Sequence, residues 1–209
     1  MTQEIFKRYE KKYMLTQKQH DALIPVLERQ MNADHYGEHT ISNIYFDTRD
    51  YELVRQSIEK PEYKEKLRLR AYGKVTDNSV VYAEIKKKFD GVVYKRRIPM
   101  TLCQARKYLY YGIRWAEESQ ILKEIDYVLN RYELKPAAYV AYERVAYYGK
   151  DNEELRITFD RNICCRCSGL ELKNGVYGTM LLDKNQILME VKIPGAMPLW
   201  MSRLFSCLL

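Results

Sequence analysis

The sequence predicts an α+β fold, an antiparallel β-barrel of about eight strands with flanking helices. Three observations predict it. Alternation of apolar and charged residues at period two recurs along most of the chain, so strands dominate. A few amphipathic stretches at helical spacing are inserted among them and can cover the apolar strand faces. The chain has 209 residues with only 9 Gly and 6 Pro, which suits one domain, residues 1–209, and argues against a disordered or fibrous chain.

The elements follow in order. Residues 5–15 alternate, with Arg8, Glu10 and Lys12 on one side and Ile5, Tyr9, Tyr13 and Leu15 among those on the other. Thr16 to Gln19 reads as a capping box opening a helix to about Met31, with Pro25 placed to bend or interrupt it. A strand is expected over 40–47 and a short helix over 50–60, stopped by Pro61. Residues 63–73 set Tyr63, Glu65, Leu67, Leu69 and Ala71 against Lys64, Lys66, Arg68, Arg70 and Tyr72. The strand over 79–88 sets Tyr82, Glu84, Lys86 and Lys88 against Val81, Ala83 and Ile85. Asp90-Gly91 then signals a hairpin to a strand over 92–99, with Lys95 and Arg97 on one side. Thr101 to Gln104 is a second capping box, and Gly112 fits a helix stop. A helix from Trp115 to about Arg131 buries Ile121, Leu122, Ile125, Val128 and Leu129. Strands are expected over 137–148, 154–161, 163–172 and 186–193, and a last helix from Pro198.

Composition narrows the class. Lys+Arg number 35 against 28 Asp+Glu, a net charge of +7, which suggests an anionic partner. No apolar run approaches the roughly 20 residues that cross a bilayer, and no basic, then apolar, leader opens the sequence. Five cysteines are an odd count in a chain long enough to need no staples, which reads as reduced thiols and a cytoplasmic location. The 19 tyrosines fit strands with one wet and one dry side; base stacking, as in single-strand binders, is the alternative.

The charged faces carry the functional signal. Lys64, Lys66, Arg68 and Arg70 stand side by side on one face, where like charges repel. An ordinary solvated face would intersperse acids. Successive cations point to a bound anion, and Arg forks with Lys point charges suit a linear chain of phosphates. Glu10, Glu84, Asp160 and Glu190 fall on the same faces, where they relieve repulsion and offer oxygen ligands to a hard divalent cation.

These segments resemble the VTC-type polyphosphate polymerase domain. The resemblance is carried by Arg8 to Tyr13, Ile44 to Thr48, Lys66 to Gly73, Glu84 to Lys88, Tyr142 to Arg144, Leu155 to Asp160 and Leu188 to Lys192, in order over about residues 5–205. That family belongs to the triphosphate-tunnel superfamily. The resemblance implies a tunnel-forming barrel lined by Lys, Arg and Glu. It also implies transfer of the γ-phosphate of ATP, or of another nucleoside triphosphate, to a growing polyphosphate chain with a divalent metal, Mn²⁺ or Mg²⁺. By the same resemblance, Arg68, Arg70 and Lys192 are the expected catalytic cations, and Lys12, Lys66, Lys86, Lys88, Lys95, Arg144 and Arg156 the phosphate-binding ones. Glu190, then Glu10 and Glu84, are the expected metal ligands. Tunnel phosphatases and cyclases start with Glu-x-Glu-x-Lys, whereas this chain has Arg8-x-Glu10-x-Lys12, which favours the polymerase branch. Similar chains usually continue past the segment matching Ser202 to Phe205, so the chain is expected to be short at its C-terminal end, with weakened activity as one consequence.

The alternatives are a catalytically silent polyphosphate-binding domain, a tunnel-type triphosphate hydrolase and a nucleic-acid-binding β-protein. Nucleic acid is not the expected partner, and a membrane-bound partner stays open. Cys164-Cys165-x-Cys167 matches no common zinc spacing and reads as strand thiols. His20, His35 and His39 read as surface or packing residues.

Overall fold

The structure is a computed structural model describing residues 8–59, 61–90, 92–113 and 119–208. These residues form an antiparallel sheet of ten strands with five α-helices, and they fall into two compact units. The first unit draws on residues 8–39, 142–163 and 180–208, and the second on 40–141 and 164–179. The strands are β1 (Arg8–Thr16), β2 (Met31–Ala33), β3 (His39–Asp47), β4 (Tyr63–Tyr72), β5 (Val80–Phe89), β6 (Val92–Thr101), β7 (Lys135–Gly149), β8 (Arg156–Arg166), β9 (Thr179–Met180) and β10 (Gln186–Pro194). The helices are α1 (Gln17–Gln30), α2 (Glu52–Glu59), α3 (Leu102–Leu109), α4 (Gln120–Tyr132) and α5 (Leu199–Leu208).

In the first unit the strand order is β1-β10-β8-β7, with β2 on β7. Its core takes Leu15, Phe159, Met189 and Val191 from the strands, Leu23 and Leu27 from α1, and Met201 and Phe205 from α5. Helix α1 opens on the expected capping box, with Gln19 N donating to Thr16 Oγ1 at 3.2 Å and Thr16 N to Gln19 Oε1 at 2.9 Å. It continues through Pro25 rather than stopping there. An interior proline costs about 3 kcal/mol. Burial of Leu23 and Leu27, both 0% exposed, returns about 1.5–3 kcal/mol each, enough to hold the helix.

In the second unit the order is β7-β3-β4-β5-β6. Leu67, Leu69, Val81, Ala83 and Ile85 pack beneath α3 and α4, which contribute Leu102, Ala105, Leu122, Ile125 and Val128. The predicted apolar stripe of α4 is therefore core. The short helix α2 is set by the end of β3: Asp47 accepts from the backbone N–H of Leu53 and Val54 at 2.9 and 3.0 Å, and Thr48 Oγ1 from that of Glu52 at 2.9 Å.

Some expectations are corrected. The sheet path ends at β1 and β6 and does not close among the described residues, so the barrel is not part of the observed architecture. The strands expected over 154–161 and 163–172 are one strand, β8, with Asn162 at φ 50° in its middle. This left-handed residue breaks the alternation, so Ile163 and Cys164 are both buried. Residues 167–172 do not pair as a strand, because Arg166 gathers the loop that they open. Its guanidinium donates to the carbonyls of Gly169, Glu171, Gly175 and Tyr177 and lies between the rings of Tyr139 and Tyr177, 3.4 and 4.0 Å from their centroids. Gly178 closes this loop at φ 146°, where a Cβ would collide with the Cys165 carbonyl oxygen. Helix α3 ends at Leu109, three residues before Gly112, and α4 begins at Gln120 with Ser119 as its cap. Trp115, like Ile5, Lys60 and Gly91, lies outside the described residues. Leu199 is 75% exposed, so only part of the last helix packs. Tyrosines are not confined to strands: Tyr36, Tyr111 and Tyr127, each more than half exposed, lie outside them. All five cysteines are free, with Cys164 in the core and Cys167 exposed.

Candidate functional site

Each unit turns one charged sheet face away from its helices, and the two faces differ in balance. On β4, β5 and β6, alternation sends Leu67 and Leu69 into the core and Arg68 and Arg70 to the opposite face. Register then decides which cations meet. Lys66 stands opposite Lys86, which stands opposite Lys95, a row of three ammonium groups across three strands. The next row is Arg68, Glu84 and Arg97, and Lys88 lies opposite Lys64. Lys64, Lys66, Lys86, Lys88, Lys95, Arg68, Arg70 and Arg97 thus share a face with one carboxylate, Glu84, on these three strands. Lys64, expected in the same row, donates to the Ser57 carbonyl at 3.3 Å.

Glu84 is 1% exposed and organises this face. Arg68 Nε and Nη2 lie 2.7 and 2.6 Å from its Oε2. Lys95 Nζ lies 3.2 Å from Oε1, an ion pair without hydrogen-bond alignment. Burial alone raises the Glu84 pKa, but Arg68, Arg70 and Lys95 outweigh it and hold the carboxyl below its ordinary range. For Lys95, burial and the neighbouring Arg68 and Arg70 prevail over Glu84, and its pKa is lowered. Burial lowers the Arg68 pKa, and Tyr45 and Glu84 reverse that into a net rise. Tyr45 OH accepts from Arg68 Nη1 at 3.2 Å. Arg70 Nε donates to Asn43 Oδ1 at 2.9 Å, and Asn43 Nδ2 donates to the Val140 carbonyl at 3.1 Å. Arg97 stacks 4.9 Å from the Tyr82 ring centroid.

The charged face of β1, β10, β8 and β7 is nearly neutral. Lys12 faces Glu190, which faces Thr158, and Glu10 faces Lys192, which faces Arg156. Lys192 Nζ is 2.6 Å from Glu190 Oε1, and Lys12 Nζ is 3.9 Å from Glu190 Oε2 and 3.5 Å from Glu10 Oε1. Burial opposes ionisation of Glu190, yet Lys192, Lys12 and Arg144 hold its pKa down. Arg144 donates Nε and Nη2 to Asp160 Oδ1 and Oδ2 at 2.6 and 2.7 Å. Arg156 is exposed, with Nε 3.4 Å from the Glu153 carbonyl.

The metal expectation can be tested on the donor set. Among the described residues no three of His, Cys, Asp and Glu cluster closely enough to hold an ion. Glu190 and Glu10, linked through Lys12, are two carboxylates with ammonium partners. Such a pair fits Mg²⁺ or Mn²⁺ only with phosphate oxygens and water completing the shell, the usual arrangement at nucleotide sites. Both oxygens of Glu84 face cations.

Sequence reasoning left out Asn43, Tyr45 and Arg97 from the site, and placed Asp160 on a charged face without its partner. Arg97 shares the face of Lys95 by simple alternation and could have been found. Asn43 and Tyr45 carry no charge, and only the pairing of β3 with β4, Asn43 opposite Arg70 and Tyr45 opposite Arg68, assigns them.

Comparison with known proteins comes down to the same fold. The VTC domain family matches residues 7–209. No curated protein matches in sequence. A candidate adenylate cyclase from Bacillus halodurans is similar in structure, with TM-score 0.56 and 15% identity over 97% of this chain and 87% of that one. A candidate adenylyl cyclase from Hippeastrum, described as having a dominant triphosphatase activity, is similar with TM-score 0.50 and 15% identity over 96% and 84%. Among the described residues no helix is long and apolar enough to cross a membrane.

Proposed function

This chain belongs to the VTC domain family, and from that membership we propose that it is a polyphosphate polymerase, moving the γ-phosphate of ATP onto an inorganic polyphosphate chain and releasing ADP. One observation carries the reading: eight cations share the β4–β6 face with a single carboxylate. The row Lys66, Lys86 and Lys95 sets like charges side by side, which repel, and within it Lys95 is paired with Glu84. A chain of phosphates is the complementary partner, one anionic centre after another.

The chemistry asks little more of the protein. A terminal phosphate oxygen of the acceptor chain attacks the γ-phosphorus as the bond to the β-phosphate oxygen breaks, and the electron pair leaves on ADP. The attacking oxygen is already anionic, so no general base is needed. Catalysis then rests on alignment and charge stabilisation. Arg68 is held by Glu84 and Tyr45, and Arg70 by Asn43, so both guanidinium groups are oriented before the phosphates arrive. Lys66, Lys86, Lys88 and Lys95 extend the grip along the strands. Lys12, Lys192, Arg144 and Arg156 are the second set of phosphate contacts. Glu190 and Glu10 would hold a divalent ion, which would supply charge neutralisation on phosphate oxygens. Glu84 acts as counter-charge to the cations.

Incubation with ATP and Mn²⁺, followed by a gel stained with toluidine blue, tests this. A ladder of chains is expected. Orthophosphate release without chains would instead indicate a hydrolase, and polyphosphate binding with no turnover a silent domain.

A further inference from the structure

Beyond the phosphate grip, one end of the β4–β6 face changes character. Tyr72 follows Arg68 and Arg70 at the same period on β4, and stands opposite Ile41 of β3. Its ring meets that of Tyr82 edge-on, centroids 5.8 Å apart at 78°. Arg97 lies on the Tyr82 ring, 4.9 Å from its centroid. Tyr82 in turn stands opposite Arg70. Tyr72 remains 41% exposed, which leaves a wet aromatic surface at the edge of a phosphate-binding face. The far part of that face, with Lys66, Lys86 and Lys88, carries no such ring on these three strands.

We propose that Tyr72, buttressed by Tyr82 and Arg97, is the platform on which the base of the nucleoside triphosphate stacks. This assignment rests on the phosphate-binding reading above and adds a direction to it. At a strand rise of about 3.3 Å per residue, Arg70 and Arg68 lie about 7 and 13 Å from Tyr72. That spacing gives a ribose room between a base on Tyr72 and phosphates on the two arginines. The donor's phosphates then point toward the row Lys66, Lys86 and Lys95, where the acceptor chain lies. The platform supplies a π-face with no group assigned to the base's hydrogen-bonding edge, so it accepts any base and favours the larger purines.

Calorimetric titration with ATP and with inorganic tripolyphosphate separates base from phosphate. Tyr72→Ala is expected to weaken ATP binding about tenfold, within the range of a lost base stack, while tripolyphosphate affinity stays within about twofold. Tyr72→Phe, which keeps the ring and loses only the hydroxyl, is expected to bind ATP as the parent does. Unchanged ATP affinity in Tyr72→Ala, or an equal loss for both ligands, overturns the platform and leaves the phosphate grip standing. Failure of the unaltered protein to bind either ligand overturns the phosphate reading and the platform together.

Discussion

Arg144 and Asp160 form a two-pronged ion pair, Nε to Oδ1 at 2.6 Å and Nη2 to Oδ2 at 2.7 Å, with the guanidinium 4.9 Å from the centroid of the Tyr142 ring. Asp160 is 4% exposed, so its charge has few other partners. Asp160→Ala leaves a largely buried guanidinium without its acceptor and is expected to lower stability by about 3 kcal/mol. Urea unfolding measures this. A loss below about 0.5 kcal/mol would show that the pair does not anchor Arg144.

Arg68 cannot be removed cleanly, because Glu84 depends on it. Arg68→Ala is expected to abolish chain synthesis and also to lower stability by about 2 kcal/mol, leaving a buried carboxylate with one ammonium partner. Adding Glu84→Gln removes the stranded charge and is expected to recover most of that stability without recovering activity. Arg70→Ala is expected to abolish synthesis as well. Retained synthesis in Arg70→Ala or in the double variant would contradict the assignment.

Lys86 gives the opposite sign. It stands between Lys66 and Lys95 and is exposed. Lys86→Ala is expected to stabilise the anion-free protein by about 0.5 kcal/mol through relief of repulsion, while weakening polyphosphate binding. Thermal melts with and without polyphosphate read both effects. Destabilisation of the anion-free protein would mean that the row is already neutralised from within.

Faces were legible in the sequence; partners were not. Alternation alone separates Leu67 and Leu69 from Arg68 and Arg70, and the period-two pattern of 186–193 holds along β10. The meeting of Lys66, Lys86 and Lys95 depends on register, which side-chain alternation leaves open by any two-residue slip. Register also chose Asn43 and Tyr45. Strand ends were lost where a single side chain overrides pattern. Asn162 at φ 50° fused two expected strands, and Arg166 drew the following loop around itself.

Acid and base should act on different parts of the site. The folded Glu84 and Glu190 pKa values lie below the ordinary 4.5, so each contributes stability above that value, and the contribution is lost as pH falls through the depressed one. Lys95 has a folded pKa below 10.5, so it disfavours the folded state while protonated, and that penalty fades as pH rises toward 10.5. Tripolyphosphate binding needs the charged form. Affinity is therefore expected to fall at alkaline pH earlier than an ordinary lysine would give, and Lys95→Arg should move the fall upward. Identical alkaline profiles would exclude Lys95 from the grip.

Glu190→Gln separates metal from fold. Its partners Lys12 and Lys192 have side chains 55% and 31% exposed, so losing the ion pairs should change stability by less than about 1 kcal/mol. The Mn²⁺ concentration needed for half-maximal synthesis is expected to rise at least about tenfold. An unchanged metal titration would remove Glu190 from the ion's shell.

In the proposed reaction phosphate leaves ATP for a phosphate chain rather than for water. Phosphorus-31 NMR of the protein turning over ATP with Mg²⁺ follows every phosphorus atom at once. The γ-resonance is expected to decline as mid-chain phosphate and ADP signals grow, and none of this is expected in Arg70→Ala. Growth of orthophosphate alone, with no mid-chain signal, would contradict it.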